Sequence, residues 1–484
     1  MADHPQPVQA PERVLSTLNA DGSRRWIRPR IAEGAWWGQR RVLAYVLMLV
    51  FFALPYLRMN GKPPILLDLP KREFTLFGAT FLPTETLLFM LLFLSIAIAI
   101  FLVTAVWGRV WCGWACPQTV YLEFLFRPIE YWLEGGPRGA KKFDRQRGLP
   151  PKRLLKLAIF FLLAMFLAHT FLAYFVGIEQ LVHWVQGSPK QHPVAFAVMG
   201  LTTLAIFLDF AWFREQTCLV ACPYGRLQTV LFDRRTMIVG YDPKRGEPRM
   251  RGLTDRPADA GDCINCELCV LACPTGIDIR DGLQMECVHC TQCIDACDAV
   301  MSRIGRPKGL IRYTSRNGLE RSGPRGVRVR IILYPIALAV VFGLFLFFLT
   351  NRASTEVTVL RGTGAPYQVQ DDGRVVNEVR LKIANHNDDT RRYRLELVGT
   401  PGAELIAPIN PFPVEAGHRK TATVFVISAP EAFHAGERPA MFRVEDGDRF
   451  GRNYVYRMPG PVRAVHEERE RHDEHRAGER EESK

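Results

Sequence analysis

The chain has 484 residues, room for two or three domains, and carries 62 Lys and Arg against 49 Asp and Glu. That excess is concentrated in particular loops. No basic–aromatic pattern accompanies it, so nucleic acid is not expected among the partners.

Residues 1–41 are polar, basic and proline-containing, and read as a loosely ordered N-terminal segment. Five apolar stretches follow near 42–58, 85–108, 154–177, 193–213 and 329–350. Each is near the ~20 residues that cross a bilayer. The first lies between Arg41 and Arg58, after a long polar leader and with no small-residue cleavage site behind it. A removed signal peptide is therefore not expected. Lys and Arg number seven in 1–41, nine in 109–153 and eighteen in 214–328, but four in 58–84 and one in 178–192. Basic loops stay on the cytoplasmic side. The N-terminus and both long basic loops are thus predicted inside, with the segment from about 352 outside.

Cys112-Gly-Trp-Ala-Cys116-Pro117 follows directly on the second stretch, and Cys218-Leu-Val-Ala-Cys222-Pro223 on the fourth. The unit of apolar span, C-x3-C-P and a short aromatic and basic run is an internal repeat. On a continuing helix, positions i and i+4 share a face, roughly 6 Å apart. Such a pair can hold a soft metal ion, Cu(I) above harder ions, or cycle between dithiol and disulfide. It can equally be two small buried residues. Polar groups inside the spans are candidates by their cost alone. His169 and Tyr174 lie in the third, where a His can bind a metal, hydrogen-bond a quinone or pair with a neighbouring helix. Asp209 in the fourth is expected to pair with Arg214. Glu123, Arg127 and Glu130 suggest an amphipathic interfacial helix with solvated or packing charges.

The loop 214–328 holds the other eight cysteines. Cys263, Cys266, Cys269, Cys273 and Pro274 spell C-x2-C-x2-C-x3-C-P. The run recurs at Cys287, Cys290, Cys293 and Cys297, with Asp298 in place of the Pro. Thiolate is the donor that iron–sulfur clusters take, and in this motif the fourth cysteine ligates the other cluster. The expected sets are Cys263, Cys266, Cys269 and Cys297 for one [4Fe–4S] cluster, and Cys287, Cys290, Cys293 and Cys273 for the second. Structural zinc also uses paired C-x2-C but does not explain a doubled three-plus-one pattern. The dicluster domain is placed at about 254–302. A reducing cytoplasmic side suits such thiolates and does not suit disulfides.

Residues 352–462 alternate apolar and polar in Val379–Ile383, Tyr393–Leu397 and Thr423–Val426, with turn-rich stretches between. Short strands at this spacing suggest an antiparallel β-sandwich. The charged tail 463–484 cannot bury a core. Its His466, His472 and His475 are read as solvated before they are read as metal ligands.

Together with the loop Arg58-Met-Asn60-Gly61-Lys-Pro63, Leu67-Asp68 and Arg72-Glu-Phe74-Thr-Leu-Phe77-Gly78, these motifs resemble the CcoG/FixG/RdxA family of cytochrome oxidase accessory proteins. The resemblance covers nearly the whole chain. It implies five transmembrane helices, a cytoplasmic double ferredoxin-type domain and a periplasmic immunoglobulin-like sandwich, in a bacterial inner membrane. It implies a cupric reductase, turning Cu(II) into Cu(I) for assembly of cbb-type cytochrome c oxidase. Oxidase assembly factors, copper chaperones or transporters and an electron donor, cytoplasmic or quinol, would be its partners. Copper would bind at Cys112, Cys116, Cys218 and Cys222, with His169 as a further candidate ligand. Two other readings fit the same features. One is a ferredoxin-type quinol dehydrogenase subunit feeding a periplasmic reductase, and the other a non-catalytic scaffold for oxidase assembly.

Overall fold

A computed structural model describes residues 16–462, apart from positions 20, 22, 60, 71–72, 82–84, 137–138, 140–149, 253–256, 258, 321–327, 388 and 448–449. Asn60, Arg72 and the tail with His466, His472 and His475 lie outside the described residues. The chain forms two compact units, residues 1–348 and 349–484.

Five helices of the first unit and its boundary are long and apolar enough to span a membrane: Ala35–Tyr56, Thr86–Trp107, Pro151–Val176, Pro193–Phe213 and Val329–Thr350. Two begin on Pro at the first helical position, where the missing N–H costs nothing. The first begins seven residues before the predicted 42, which takes Arg40 into the helix. Arg40 is only 1% exposed. Its guanidinium reaches the carbonyls of Gly113 at 2.9 Å and Cys290 at 2.7 Å, which gives the buried cation partners inside the protein. The same helix is anchored at its start by Asp295, which accepts from the N–H groups of Trp36 at 3.3 Å and Trp37 at 2.7 Å.

The N-terminal segment also departs from its expected looseness. Its described part lies along the first unit: Thr17 is fully buried, Ser16 donates to the Thr275 carbonyl at 2.7 Å, and Arg30 N–H donates to the Leu271 carbonyl at 2.7 Å. Between the first two spans sits a three-stranded antiparallel sheet, β1 (Ile65–Asp68), β2 (Glu73–Leu76) and β3 (Ala79–Phe81). The cysteine-rich loop is clasped by a two-stranded pair, β4 (Ile238–Tyr241) against β5 (Ile311–Thr314). Val239, Ile277, Ile279, Ile294, Met301, Leu310 and Ile311 form its core beside the cysteines.

The second unit is a sandwich of β6–β14. One sheet runs β10 (Ala403–Ile406), β12 (Arg419–Ser428), β8 (Val375–Asn385), β6 (Thr355–Arg361), with β7 (Gln368–Val369) on β8. The other runs β11 (Phe412–Val414), β9 (Arg391–Val398), β13 (Glu437–Glu445), β14 (Gly451–Pro459). Alternation drives Val379, Leu381 and Ile383 inward against Tyr393, Leu395, Phe442 and Val444, all at 0–1% exposure.

Candidate metal centres

Two spaces open inside the cysteine-rich loop. The first is bordered by Cys263, Cys266, Cys269 and Cys297. The second is bordered by Cys273, Cys287, Cys290 and Cys293, with Cys269 also at its edge. Each space therefore meets three cysteines of one motif and the fourth of the other. The two loops match in backbone as well as in sequence. Asn265 and Glu267 in one, and His289 and Thr291 in the other, hold positive φ of 51° to 63°. Left-handed residues interleaved in this way turn successive N–H groups toward a concave side, a setting that suits an anionic group.

The donor chemistry agrees with four-iron clusters. Burial pushes the Cys269, Cys287, Cys290 and Cys297 thiols up to about 12. A metal group held here would replace their protons. Among the described residues no group of three His, Cys, Asp or Glu is placed to hold a single metal ion, either here or at the C-x3-C-P pairs. A single ion needs sulfurs within ~2.3 Å, whereas a four-iron cube needs them spread around it.

The C-x3-C-P pairs do not lie on continuing helices. Cys112 is in a short helix, Val110–Trp114, while Cys116 is extended (φ −63°, ψ 127°) and caps the next, which begins at Pro117. In the second repeat a widened π-helical turn, Thr217–Ala221, carries Cys218. Cys222 is again extended (φ −79°, ψ 109°), before a helix beginning at Pro223. The proline after each pair fixes this, because it disfavours helical backbone at the residue before it. The break puts Cys116 at a helix start, where the N–H groups of Gln118 and Thr119 oppose the rise that burial imposes on its thiol. Burial pushes Cys112 to about 12 against the pull of Arg109, and pushes Cys218 up with the other three cysteines adding to it. The four cysteines thus lie near enough to act on one another electrostatically, and are called the quartet below. Gln228, fully buried, accepts from Cys112 Sγ at 3.2 Å and donates to Thr104 Oγ1 at 3.2 Å, joining the repeats.

The quartet lies directly against the second space. Gly113, next to Cys112, leaves no room for a side chain: a Cβ there would meet the Val288 carbonyl at 2.5 Å and that of His289 at 2.7 Å. Arg109 N–H donates to His289 Nδ1 at 3.1 Å. Burial and then Arg109 push the His289 ring down to about 3, so it is neutral with its proton on Nε2. Trp36, Trp114 and Tyr313 close the wall beside it, with Tyr313 OH donating to the His289 carbonyl at 3.0 Å.

Sequence reasoning missed the buried ion lattice beneath the quartet. Glu130 accepts two bonds from Arg214, at 3.2 and 2.9 Å, and also meets Arg28 and Lys156. Arg127 pairs with Glu123 and Glu215, and Arg24 with Glu215. These are buried pairs and not a solvated helix face. The only signal was complementarity between the basic segment 24–30 and the acidic run 123–134. Asp209 does not pair with Arg214 as expected. It accepts from Gln118 at 3.3 Å and from Thr217, because Glu130 has already taken the guanidinium. His169 is not brought to the cysteines. It lies thirteen residues beyond Lys156 on the same helix, about 20 Å along the axis, and lines a cavity of about 420 Å³ with Tyr56, Met165 and Leu181. Tyr174 donates to the Phe51 carbonyl at 2.7 Å.

Comparison with known proteins agrees with these features. Residues 213–316 match a family described as a 4Fe-4S dicluster domain, and residues 89–141 one described as a 4Fe-4S binding domain. Residues 345–456 match the Ig-like fold at the C-terminus of FixG. Protein RdxA of Cereibacter sphaeroides is 34% identical over 82% of this chain and 85% of its own length. Protein RdxB of the same organism is 33% identical over 87% and 92%. The nitrogen fixation protein FixG of Rhizobium meliloti is 32% identical over 79% and 81%. A solved FixG-related protein from Vibrio parahaemolyticus aligns at 17% identity over 23% of this chain and all of its own, with a TM-score of 0.21, too slight a likeness to add to the fold.

Proposed function

The chain belongs to the FixG/RdxA family of membrane iron–sulfur electron-transfer proteins, and from that premise we propose that it reduces Cu(II) to Cu(I) for assembly of a cbb-type cytochrome c oxidase. The observation that carries this reading is the contact between the second cysteine space and the quartet, through Gly113 and His289. Electrons held at the first need no carrier to reach the second.

In this reading Cys263, Cys266, Cys269 and Cys297 hold one [4Fe–4S] cluster, and Cys273, Cys287, Cys290 and Cys293 the other. Such clusters, when bound, store and release single electrons. Cys112, Cys116, Cys218 and Cys222 receive copper. One electron converts Cu(II) to Cu(I), and no atom or proton need move with it. Soft sulfur donors prefer the reduced ion, so binding and reduction act in the same direction. Cys266 is exposed while Cys287, Cys290 and Cys293 are buried, so the first site is where a donor can approach. The Lys and Arg content of the loops supports a cytoplasmic position for the cysteines, at an inner membrane, and a periplasmic one for the sandwich. Oxidase assembly factors and copper chaperones or transporters are the proposed partners there.

The test is anaerobic. The purified protein is reduced, freed of reductant and given Cu(II). Stoichiometric Cu(I) with matching loss of the reduced iron–sulfur signal is the expected result. Clusters that stay reduced in the presence of Cu(II) would remove the reading. The cavity beside His169 favours the quinol dehydrogenase alternative, which predicts quinol oxidation without copper.

A further inference from the structure

We propose that Arg40 and Arg109 form a charged junction that draws electrons from the first iron–sulfur site to the second and onward to the cysteine quartet. This deepens the electron-transfer reading above and rests on it.

Both side chains are buried, at 1% and 4% exposure, and neither makes a salt bridge with a carboxylate among the described residues. They hold the same two segments together from opposite sides. Arg40 bonds the carbonyl of Gly113, beside Cys112, and that of Cys290 at the second site. Arg109 donates to the carbonyls of Met285, Cys287 and Gly225, so it spans the second site and the helix that follows Cys222. One nitrogen of each guanidinium, Arg40 Nη2 and Arg109 Nε, has no hydrogen-bond partner.

Arg40 also lies over the Phe124 ring at 5.4 Å and within the field of Asp295, whereas Arg109 has carbonyl partners alone. Burying such cations without a salt-bridged carboxylate is costly, and a neighbouring negative charge offsets that cost. The residues around them supply one once four thiolates hold an iron–sulfur core, whose net charge becomes more negative on reduction. Arg109 bonds the Cys287 carbonyl, and Arg40 bonds the carbonyl of Cys290 at one centre and that of Gly113, next to Cys112, at the other. The first site is arranged differently. Its nearby cation, Arg280, is neutralised by Asp278, with Nε at 2.8 Å from Oδ1. A fixed positive charge stabilises the reduced state of a nearby centre more than the oxidised state, and charge is one of the levers that set cluster potential. Two unpaired cations at the second site and a paired one at the first bias the electron inward. The step itself is a plain transfer: the second site would give one electron to Cu(II) at the quartet, the first site would pass one electron to the second, and a one-electron donor would refill the first.

A purely structural tie between carbonyls would work equally well without charge, and that separates the two roles. The full-length protein with both clusters is titrated anaerobically and followed by electron paramagnetic resonance, as parent, Arg109→Gln, Arg109→Lys and Arg40→Gln. Arg109→Gln should make the second site's midpoint potential more negative and leave the first in place. Arg109→Lys should restore most of the shift, and Arg40→Gln should move the same site in the same direction. Re-oxidation of the reduced clusters by Cu(II) should slow severalfold in Arg109→Gln. If Arg109→Gln loses its second cluster outright, Arg109→Lys and Arg40→Gln decide. Unshifted potentials in variants that keep both clusters, or equal shifts at the two sites, overturn the junction. A parent that fails to reduce Cu(II) while the selective shift persists removes the copper reading and leaves the charged junction standing.

Discussion

Gly108 and Arg214 hold nearly the same rare backbone conformation, φ 60° with ψ −130° and φ 53° with ψ −120°, each four residues before the first cysteine of a C-x3-C-P pair. The internal repeat thus extends into the turn that delivers each pair to the quartet. Gly108 adopts the turn freely, having no Cβ. Arg214 adopts it at a cost of order 1–3 kcal/mol, and its two bonds to Glu130 help hold it there.

Gly108→Ala should therefore be damaging. Besides the positive φ, its Cβ would meet the Met237 carbonyl at 2.6 Å and His289 Cε1 at 2.8 Å. Gly135→Ala is the control: its φ is 76°, but a Cβ there meets nothing within 4 Å. Thermal unfolding should show the first variant destabilised by about 2–3 kcal/mol and the control by about 1. Equal effects would mean that the close approach to Met237 and His289 does not matter.

The crossed arrangement of cysteines predicts selective damage. Cys297→Ser should disturb the cluster of Cys263, Cys266 and Cys269, and Cys273→Ser the one of Cys287, Cys290 and Cys293. Electron paramagnetic resonance of each single variant separates them. Loss of the cluster nearest in sequence would reverse the assignment.

Much of this was legible in the chain. The two cysteine motifs carry their grouping in their spacing, and strand alternation marked β8, β9 and β12. Span lengths came within a few residues except at the first start, where the sequence reading stops at Arg41 but the helix continues back through Arg40 to Ala35. That misreading had a physical cause: the partners of Arg40 are backbone carbonyls, which no residue type announces. The C-x3-C-P pairs were misplaced onto continuous helices although Pro117 and Pro223 stood in the sequence as the sign of a break. The packing of residues 16–34 depends on partners more than a hundred positions away, as with Arg28 and Glu134 at 2.6 Å.

The ion lattice gives a pH dependence. Burial alone would raise the Glu130 carboxyl, but Arg214, Lys156 and Arg28 overcome it and hold it near 2, below its ordinary 4.5. The stabilisation is complete above 4.5 and is lost as pH falls from there through about 2. Hydrogen exchange of the backbone over residues 23–34, corrected for the intrinsic rate at each pH, should quicken progressively across that window. Glu130→Gln should be loosened already at neutral pH, by up to roughly 3–5 kcal/mol, because buried Arg214 then keeps only Glu215, at 3.8 Å, as a salt-bridge partner. A variant as slow to exchange as the parent would show that the lattice does not hold the segment.

Orientation is open to a direct test. Reporter fusions after residue 65 and after residue 400 should both give an external signal, since the loops near them are poor in Lys and Arg or follow the fifth span. A cytoplasmic signal at either point would break the five-span arrangement.

The quartet makes the sharpest demand on chemistry. Cys112→Ser with Cys218→Ser removes one sulfur from each repeat. The double variant should keep both iron–sulfur spectra, lose Cu(I) retention and reduce Cu(II) more slowly, with oxidase assembly suffering most when copper is scarce. Iron analysis adds an independent check. The matched segment 89–141 is described as a 4Fe-4S binding domain but contains only Cys112 and Cys116, so further iron at the quartet would have to draw on Cys218 and Cys222 as well. Iron equal to two four-iron clusters, unchanged in the double variant, leaves the quartet to copper. Iron equal to three, falling by a third in the variant, would make the quartet another electron relay and move copper elsewhere.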